Sequence, residues 1–109
     1  TAFLDYNGLQ IDGDITKVMN SLPIDKKFEA FNFHVINIDG HDFDQIAAAF
    51  KEAKETKGMP TAIIAKTTKG KGVSFMEGQA GWHGKAPSDD EYKTAMEDLE
   101  KVGDALCQK

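Results

Sequence analysis

Between Phe33 and Ala65 two short apolar runs flank an amphipathic stretch, and this alternation restricts the fold more than any other feature. Phe33, Val35, Ile36 and Ile38 form a β-rich run that stops at Asp39-Gly40. Asp42 and Gln45 read as an N-terminal capping pair. Phe43, Ile46, Ala47, Phe50 and Ala53 then recur at helical spacing and are expected on one buried face. Gly58 suits the helix end and Pro60 cannot continue it. Thr61 to Ala65 reads as a buried strand. Strand, helix and strand in this order make a βαβ unit, whose strands run parallel.

The rest of the chain extends the pattern. Ala2-Phe3-Leu4 reads as a strand ending at the turn Asp5-Tyr6-Asn7-Gly8. Gln10 to Ser21 has no clean period and is expected to be a loop with at most one helical turn. Pro23 to Phe31 predicts a short helix with Ile24, Phe28 and Phe31 on one face. Ser88 and Glu91 form a second capping box, ahead of a helix whose expected inner face is Tyr92, Ala95, Met96, Leu99 and Val102. The fold class is therefore α/β, part of a mainly parallel sheet flanked by helices. The 109 residues fit one domain at most, with a small core.

Charge and composition exclude several classes of function. The formal charge is −5 and there is no arginine, which argues against a nucleic-acid partner. No apolar run approaches the roughly 20 residues of a membrane span. The N-terminus has neither the basic nor the long apolar region of a signal peptide. It also lacks an initiator Met and starts as if inside a strand, so a fragment or a cleavage product is expected. The single cysteine, Cys107, cannot form an internal disulfide, which points to a reducing, cytoplasmic setting.

In parallel sheets ligands bind beyond the carboxyl ends of the strands. Two segments leave such ends, Asp5–Asn7 and Lys66–Gly72, and the second continues as KTTKGKGVSFMEGQAGWHGKAP to Pro87. Structureless connections of about twenty residues are uncommon, and are usually functional or disordered. Asn7 offers an amide oxygen, and the turn after it can aim the Leu9 carbonyl at the same point, as Mg²⁺ requires; the plainer reading is an ordinary Asn-Gly turn. Asp5, Asp12 and Asp14 could also bind a cation, although most such aspartates are solvated. Lys69, between Thr68 and Gly70, supplies a compact positive charge where backbone amides can approach an anion. The segment is neither a P-loop nor a dinucleotide fingerprint, and a flexible basic loop is the alternative. His83, between Trp82 and Gly84, suits hydrogen bonding and proton transfer, against the alternative that Trp82 pins the loop to the body and His83 merely follows it. His34 and His41 read as structural or exposed. No Cys/His set has zinc spacing, and Cys107 is a poor nucleophile candidate.

The stretches DYNGLQIDG (Asp5 to Gly13), KFEAFNFHVINIDGHDFDQIAAAF (Lys27 to Phe50), PTAIIAKTTKGKGVSFME (Pro60 to Glu77) and GWHGKAP (Gly81 to Pro87) together resemble transketolase. The part resembled is the later portion of its thiamine diphosphate-binding N-terminal domain, and most closely the N-terminal subunit of two-chain transketolases. The resemblance implies that residues 1–109 are the C-terminal portion of that diphosphate-binding domain. It further implies that Asn7, Ile11, Lys69 and His83 adjoin thiamine diphosphate and that Asn7 and Leu9 hold Mg²⁺. His83 would be the catalytic residue, facing the substrate's reacting oxygens. The implied reaction moves a two-carbon ketol unit from a ketose phosphate to an aldose phosphate.

Besides the family's upstream histidines, two family elements are absent from this sequence. One is a Gly-Asp-Gly motif whose Asp is a further Mg²⁺ ligand. The other is the glutamate, from a pyrimidine-binding domain, that activates the cofactor. The expectation is a chain inactive alone that joins segments or a subunit supplying both, as a homodimer or heterotetramer. The alternatives are a deoxyxylulose phosphate-type synthase, against which WHGKAP argues, and a non-catalytic α/β assembly module.

Overall fold

The computed structural model describes residues 1–107. Three parallel strands form the main sheet: β1 (Ala2–Tyr6), β4 (His34–Asp39) and β5 (Thr61–Lys66), in the order β1-β5-β4. The register sets Ala2 beside Ala62 and Ala62 beside Val35, and continues to Tyr6, Lys66 and Asp39 at the carboxyl edge. β5 is central, and its first five residues are buried. That is why TAIIA is apolar without alternation: a parallel strand covered on both faces has no solvent side.

The helix expected after β4 is α3 (Phe43–Glu55), and it covers one face of the sheet. Its cap is as read: Asp42 Oδ1 accepts from the backbone N–H groups of Asp44 (2.9 Å) and Gln45 (3.1 Å). The Gln45 side chain, however, accepts from Asp39 N at 2.9 Å instead of completing the box. The inner face differs from the expected one. Ala49 and Ala53 are buried with Ile38, Ile63 and Ala65, and Ile46 lies against them. Phe43 is 84% exposed, Phe50 is 50% exposed and Ala47 is exposed. Small side chains let the helix sit close on the sheet, so the alanines take the inner face. Phe50 instead stacks on Phe3 of β1, ring centroids 5.7 Å apart.

The other face is covered only in part, by α2 (Ile24–Ala30), where Phe28 meets Phe33 edge-on at 5.1 Å. The segment expected as a loop holds a small antiparallel hairpin, β2 (Leu9–Gln10) with β3 (Gly13–Asp14), and then one helical turn, α1 (Ile15–Val18). The capping box before α4 (Asp89–Cys107) is complete: Ser88 N–H donates to Glu91 Oε2 at 2.7 Å and Glu91 N–H to Ser88 Oγ at 3.3 Å. Of the α4 face expected inside, only Ala95 is buried; Tyr92, Met96, Leu99 and Val102 remain substantially exposed.

The body is thin, 51 × 39 × 15 Å, with a radius of gyration of 16.8 Å. A compact domain of this length would have a radius near roughly 13 Å. Among the described residues β1 and β4 each pair on one side only. Among the described residues no helix is long and apolar enough to cross a membrane.

Candidate functional site

The site is built where β1 and β5 end, side by side. After Tyr6 the chain turns at Asn7, whose Oδ1 accepts the Leu9 N–H at 2.9 Å. This closes a tight Asx turn, which a short amide side chain forms with the backbone two residues on. Gly8 follows at φ 74°, and its carbonyl accepts from Ile15 N at 3.0 Å. The hairpin so anchored carries Leu9, Gln10 and Ile11 along one wall.

The Lys66–Pro87 segment forms the other wall, and it is not structureless. It is a chain of tight turns closed on itself. Gly78 N–H donates to Lys69 O at 2.9 Å, Val73 N–H to Gly70 O at 3.1 Å and Met76 N–H to Val73 O at 2.9 Å. Val73 is buried beneath them. A single 3₁₀ turn, Ala80–Trp82, then lies against β3 and delivers His83. Trp82 pins the loop chiefly to itself: its ring meets Phe75 at 5.3 Å, its Nε1–H donates to Phe75 O at 3.1 Å, and Lys85 Nζ sits 4.0 Å over its face.

Asn7, Leu9, Gln10, Ile11, Lys69 and His83 line one cleft of about 260 Å³. Every residue singled out from the sequence for the site meets there, from three separate stretches of chain. Gln10 was missed; its signal was its place inside DYNGLQIDG, between two residues that were named. Of the loop lysines, Lys71 pairs with Glu77 at 3.5 Å and Lys85 with Glu91 at 3.3 Å. Among the described residues Lys69 has no salt-bridge partner, so its charge is free for an anion. No group of three or more His, Cys, Asp or Glu side chains is placed to hold a metal among the described residues. A cation in this cleft would find two neutral oxygens, the Asn7 amide and the Leu9 carbonyl, a hard donor set that suits Mg²⁺ but needs anionic oxygens to complete it. A larger cleft of about 640 Å³ lies nearby, between Tyr6, Asn37, Asp39 and Lys66. It is the part of the sheet face that α2 leaves open, and Asn7, Lys69 and His83 are not in it.

Two carboxylates fasten the glycine-rich turns. Glu77 accepts from Gly72 N at 2.9 Å, and this N–H, helped by Lys71, holds its pKa below the usual value. Asp98 on α4 accepts from Ser74 Oγ at 2.6 Å and Ser74 N at 2.9 Å, and these bonds, helped by Lys101, lower its pKa too. A carboxylate depressed in the folded state contributes above its unfolded pKa, and the contribution is lost as pH falls through the folded value. The turns are therefore expected to stay fastened at neutral pH and to loosen below about pH 4. Trp82, the only tryptophan, reports this: its emission should shift red on acidification, and an Asp98→Asn variant should show part of the shift already at pH 7. An unchanged spectrum in that variant at pH 7 would remove Asp98 as a fastener.

A parallel α/β sheet with an amide, an unpaired lysine and a histidine gathered beyond its carboxyl edge defines a domain suited to an anionic cofactor. The comparisons with known proteins specify which. The family described as transketolase, thiamine diphosphate binding domain, matches residues 1–102, and the chain belongs to it. The 6-deoxy-6-sulfo-D-fructose transketolase subunit SqwG of Clostridium sp. is 42% identical over 102 residues, covering 94% of this chain and 37% of its own length. The structure of Campylobacter jejuni transketolase superposes with a TM-score of 0.79 at 36% identity, covering 90% of this chain and 15% of that one. That of Pichia stipitis transketolase in complex with sedoheptulose-7-phosphate gives 0.80 at 30% identity, over 91% and 15%. The chain thus spans little more than a third of the first relative and about a seventh of each of these structures.

Proposed function

We propose that this chain is the later, C-terminal portion of the diphosphate-binding domain of an enzyme that transfers a two-carbon ketol unit from a ketose phosphate to an aldose phosphate. The observation that carries this is the cleft where Asn7, Leu9, Ile11, Lys69 and His83 meet. The residues present fit thiamine diphosphate with Mg²⁺: two oxygen donors, one unpaired lysine, one exposed apolar wall at Ile11 and one accessible imidazole. Bound there, the cofactor supplies the capacity to break and remake the carbon–carbon bond next to a carbonyl.

The chain's own part is to hold and orient. The Asn7 amide and the Leu9 carbonyl are the oxygens that would hold the cation. Lys69 offsets the negative charge. Ile11 borders the cofactor and keeps water from that side. His83 hydrogen-bonds the phosphate side and the reacting sugar oxygens, and passes protons to and from them. A sugar phosphate is the fitting substrate class, in keeping with the sedoheptulose-7-phosphate held by the Pichia stipitis relative.

The remaining metal oxygens and the residue that activates the cofactor come from other polypeptide. This agrees with the thin body, the open strand edges and the exposed Phe43 and α4 side chains. The assembled enzyme is a homodimer or heterotetramer working in the cytoplasm. The test combines this chain with the polypeptide that completes the domain and follows both Mg²⁺-dependent retention of thiamine diphosphate and consumption of ketose phosphates. The combination is expected to do both, and this chain alone neither. A combined particle that retains no thiamine diphosphate overturns the proposal. Cofactor retained without ketol transfer would assign the chain to a related synthase instead.

A further inference from the structure

His41 is the one described histidine whose bond joins two loops at the carboxyl edge of the sheet. Its Nε2 lies 2.7 Å from the backbone N of Thr68. A backbone N–H only donates, so Nε2 must accept, and the ring proton sits on Nδ1. The residues around this contact form a clamp. His41 N–H donates to Asp39 Oδ1 at 2.9 Å and Gly40 N–H to Lys66 O at 2.8 Å. Gly40 lies so close to the next strand end that a Cβ there would come within 2.5 Å of Thr67 Cγ2 and 3.2 Å of Lys66 O. On the opposite side Thr67 is tied to β1, its N–H donating to Tyr6 O at 3.0 Å and its hydroxyl to Asp5. Lys66, Thr67 and Thr68 are thus gripped from both neighbouring strand ends, and the next residue is Lys69, which lines the cleft.

We infer that His41 is a positioning residue for Lys69. The imidazole fixes the Thr68 amide, and with it the direction in which the backbone leaves β5, so that Lys69 is presented to the cleft without itself being touched by His41. The Thr67 bonds fix the root of the segment, but they end one residue before the turn begins. Beyond it Thr68 O accepts from Lys71 N at 3.2 Å, so the fixed Thr68 peptide also starts the first glycine turn. His41 lies outside the cofactor cleft and takes no part in the chemistry.

The inference rests on Lys69 facing the diphosphate, and the test separates the two. In the assembled enzyme, with its completing polypeptide, His41→Leu removes the acceptor. His41→Gln keeps one, because the Gln Oε1 reaches about as far along the side chain as Nε2. Lys69→Ala serves as the control. Three quantities are read: hydrogen exchange at the Thr68 amide, thiamine diphosphate affinity and thermal stability. His41→Leu is expected to speed Thr68 exchange and weaken cofactor binding by about tenfold, the size of one lost hydrogen bond. His41→Gln is expected to restore both to within about twofold, and the melting temperature should follow neither. If Lys69→Ala weakens the cofactor and His41→Leu does not, the positioning role is overturned and the cleft assignment stands. If Lys69→Ala leaves cofactor affinity unchanged, the cleft assignment is what fails. If His41→Gln behaves as His41→Leu in all three, the imidazole acts by bulk, and the positioning role is likewise overturned.

Discussion

Replacing Asn7 with alanine is expected to abolish Mg²⁺-dependent retention of thiamine diphosphate by the assembled enzyme. Among the described residues that line the cleft, Asn7 and Gln10 carry a side-chain oxygen. The Asn7 Oδ1 also accepts the Leu9 N–H at 2.9 Å. On the proposed function one atom would do two things: it would offer a lone pair to the cation, and it folds the turn that carries the second donor. Alanine removes the first donor and frees the second to swing away. Losing a residue that merely supports a metal ligand typically costs 10–100-fold in affinity, and a ligand that also shapes its neighbour should cost more than about a hundredfold. Asn7→Asp isolates the two contributions, since an aspartate oxygen still closes the Asx turn and still binds a hard cation. The expected order of Mg²⁺ affinity at fixed thiamine diphosphate is wild type, close to Asp, far above Ala. Calorimetric Mg²⁺ titration at saturating thiamine diphosphate gives that order directly. Equal affinities for the wild type and Asn7→Ala would exclude Asn7 as a ligand.

The parts of the fold legible in the sequence were those fixed by local chemistry. Both capping sites, at Asp42 and Ser88, were readable because a cap needs only residues three apart. The central strand was readable because Thr61 to Ala65 offers no polar face. The inner faces of the helices were not. Phe43 and Phe50 share a face by spacing, and hydrophobicity alone puts phenylalanine inside. The structure puts Ala49 and Ala53 there, because a helix resting on a three-stranded sheet needs close approach more than bulk, and no local pattern states what the helix will rest on. The β2–β3 hairpin was missed for a related reason. It has two residues per strand and is held by Asn7 and by Gly8 O, not by its own apolar pattern.

The candidate site was more legible than the helices. Strand order alone brings Asn7 and Lys69 to one edge, since both follow parallel strands that are neighbours in the sheet. His83 could be placed near them only through its loop. What puts it there is a self-contained set of turns ending in the 3₁₀ turn against β3, which depends on Trp82 bonding to Phe75 within the same loop. The twenty-residue stretch looked structureless because turns closed by backbone-to-backbone bonds leave no periodic trace in the sequence. His41 escaped notice as a partner of that loop because its contact spans 27 positions of sequence.

The same turns define the change expected to be most damaging to the loop, Gly70→Ala. Gly70 sits at φ 72°, where an L side chain costs roughly 1–2 kcal/mol. A Cβ there would also stand 2.6 Å from Met76 O and 2.7 Å from the Met76 carbonyl carbon. Met76 cannot retreat as a flexible side-chain end would, because its backbone N–H is bonded to Val73 O and its carbonyl accepts from Gln79 N. The turns must therefore open, and opening them releases Lys69 O from Gly78 N and displaces Lys69. Gly78→Ala is the matched control. It has nearly the same backbone angle, φ 68°, and nothing within 4 Å of its added Cβ, so it should show the conformational cost alone. The expected result is a Gly78→Ala enzyme destabilised by roughly 1–2 kcal/mol with cofactor affinity kept. The Gly70→Ala enzyme should be destabilised by about 3 kcal/mol or more, since overlap with fixed backbone adds roughly 1–3 kcal/mol, and it should lose cofactor binding. Denaturant midpoints and thiamine diphosphate titrations on the two variants decide it. Equal destabilisation in both would mean that Met76 yields, and that the loop is softer than its bonding pattern implies.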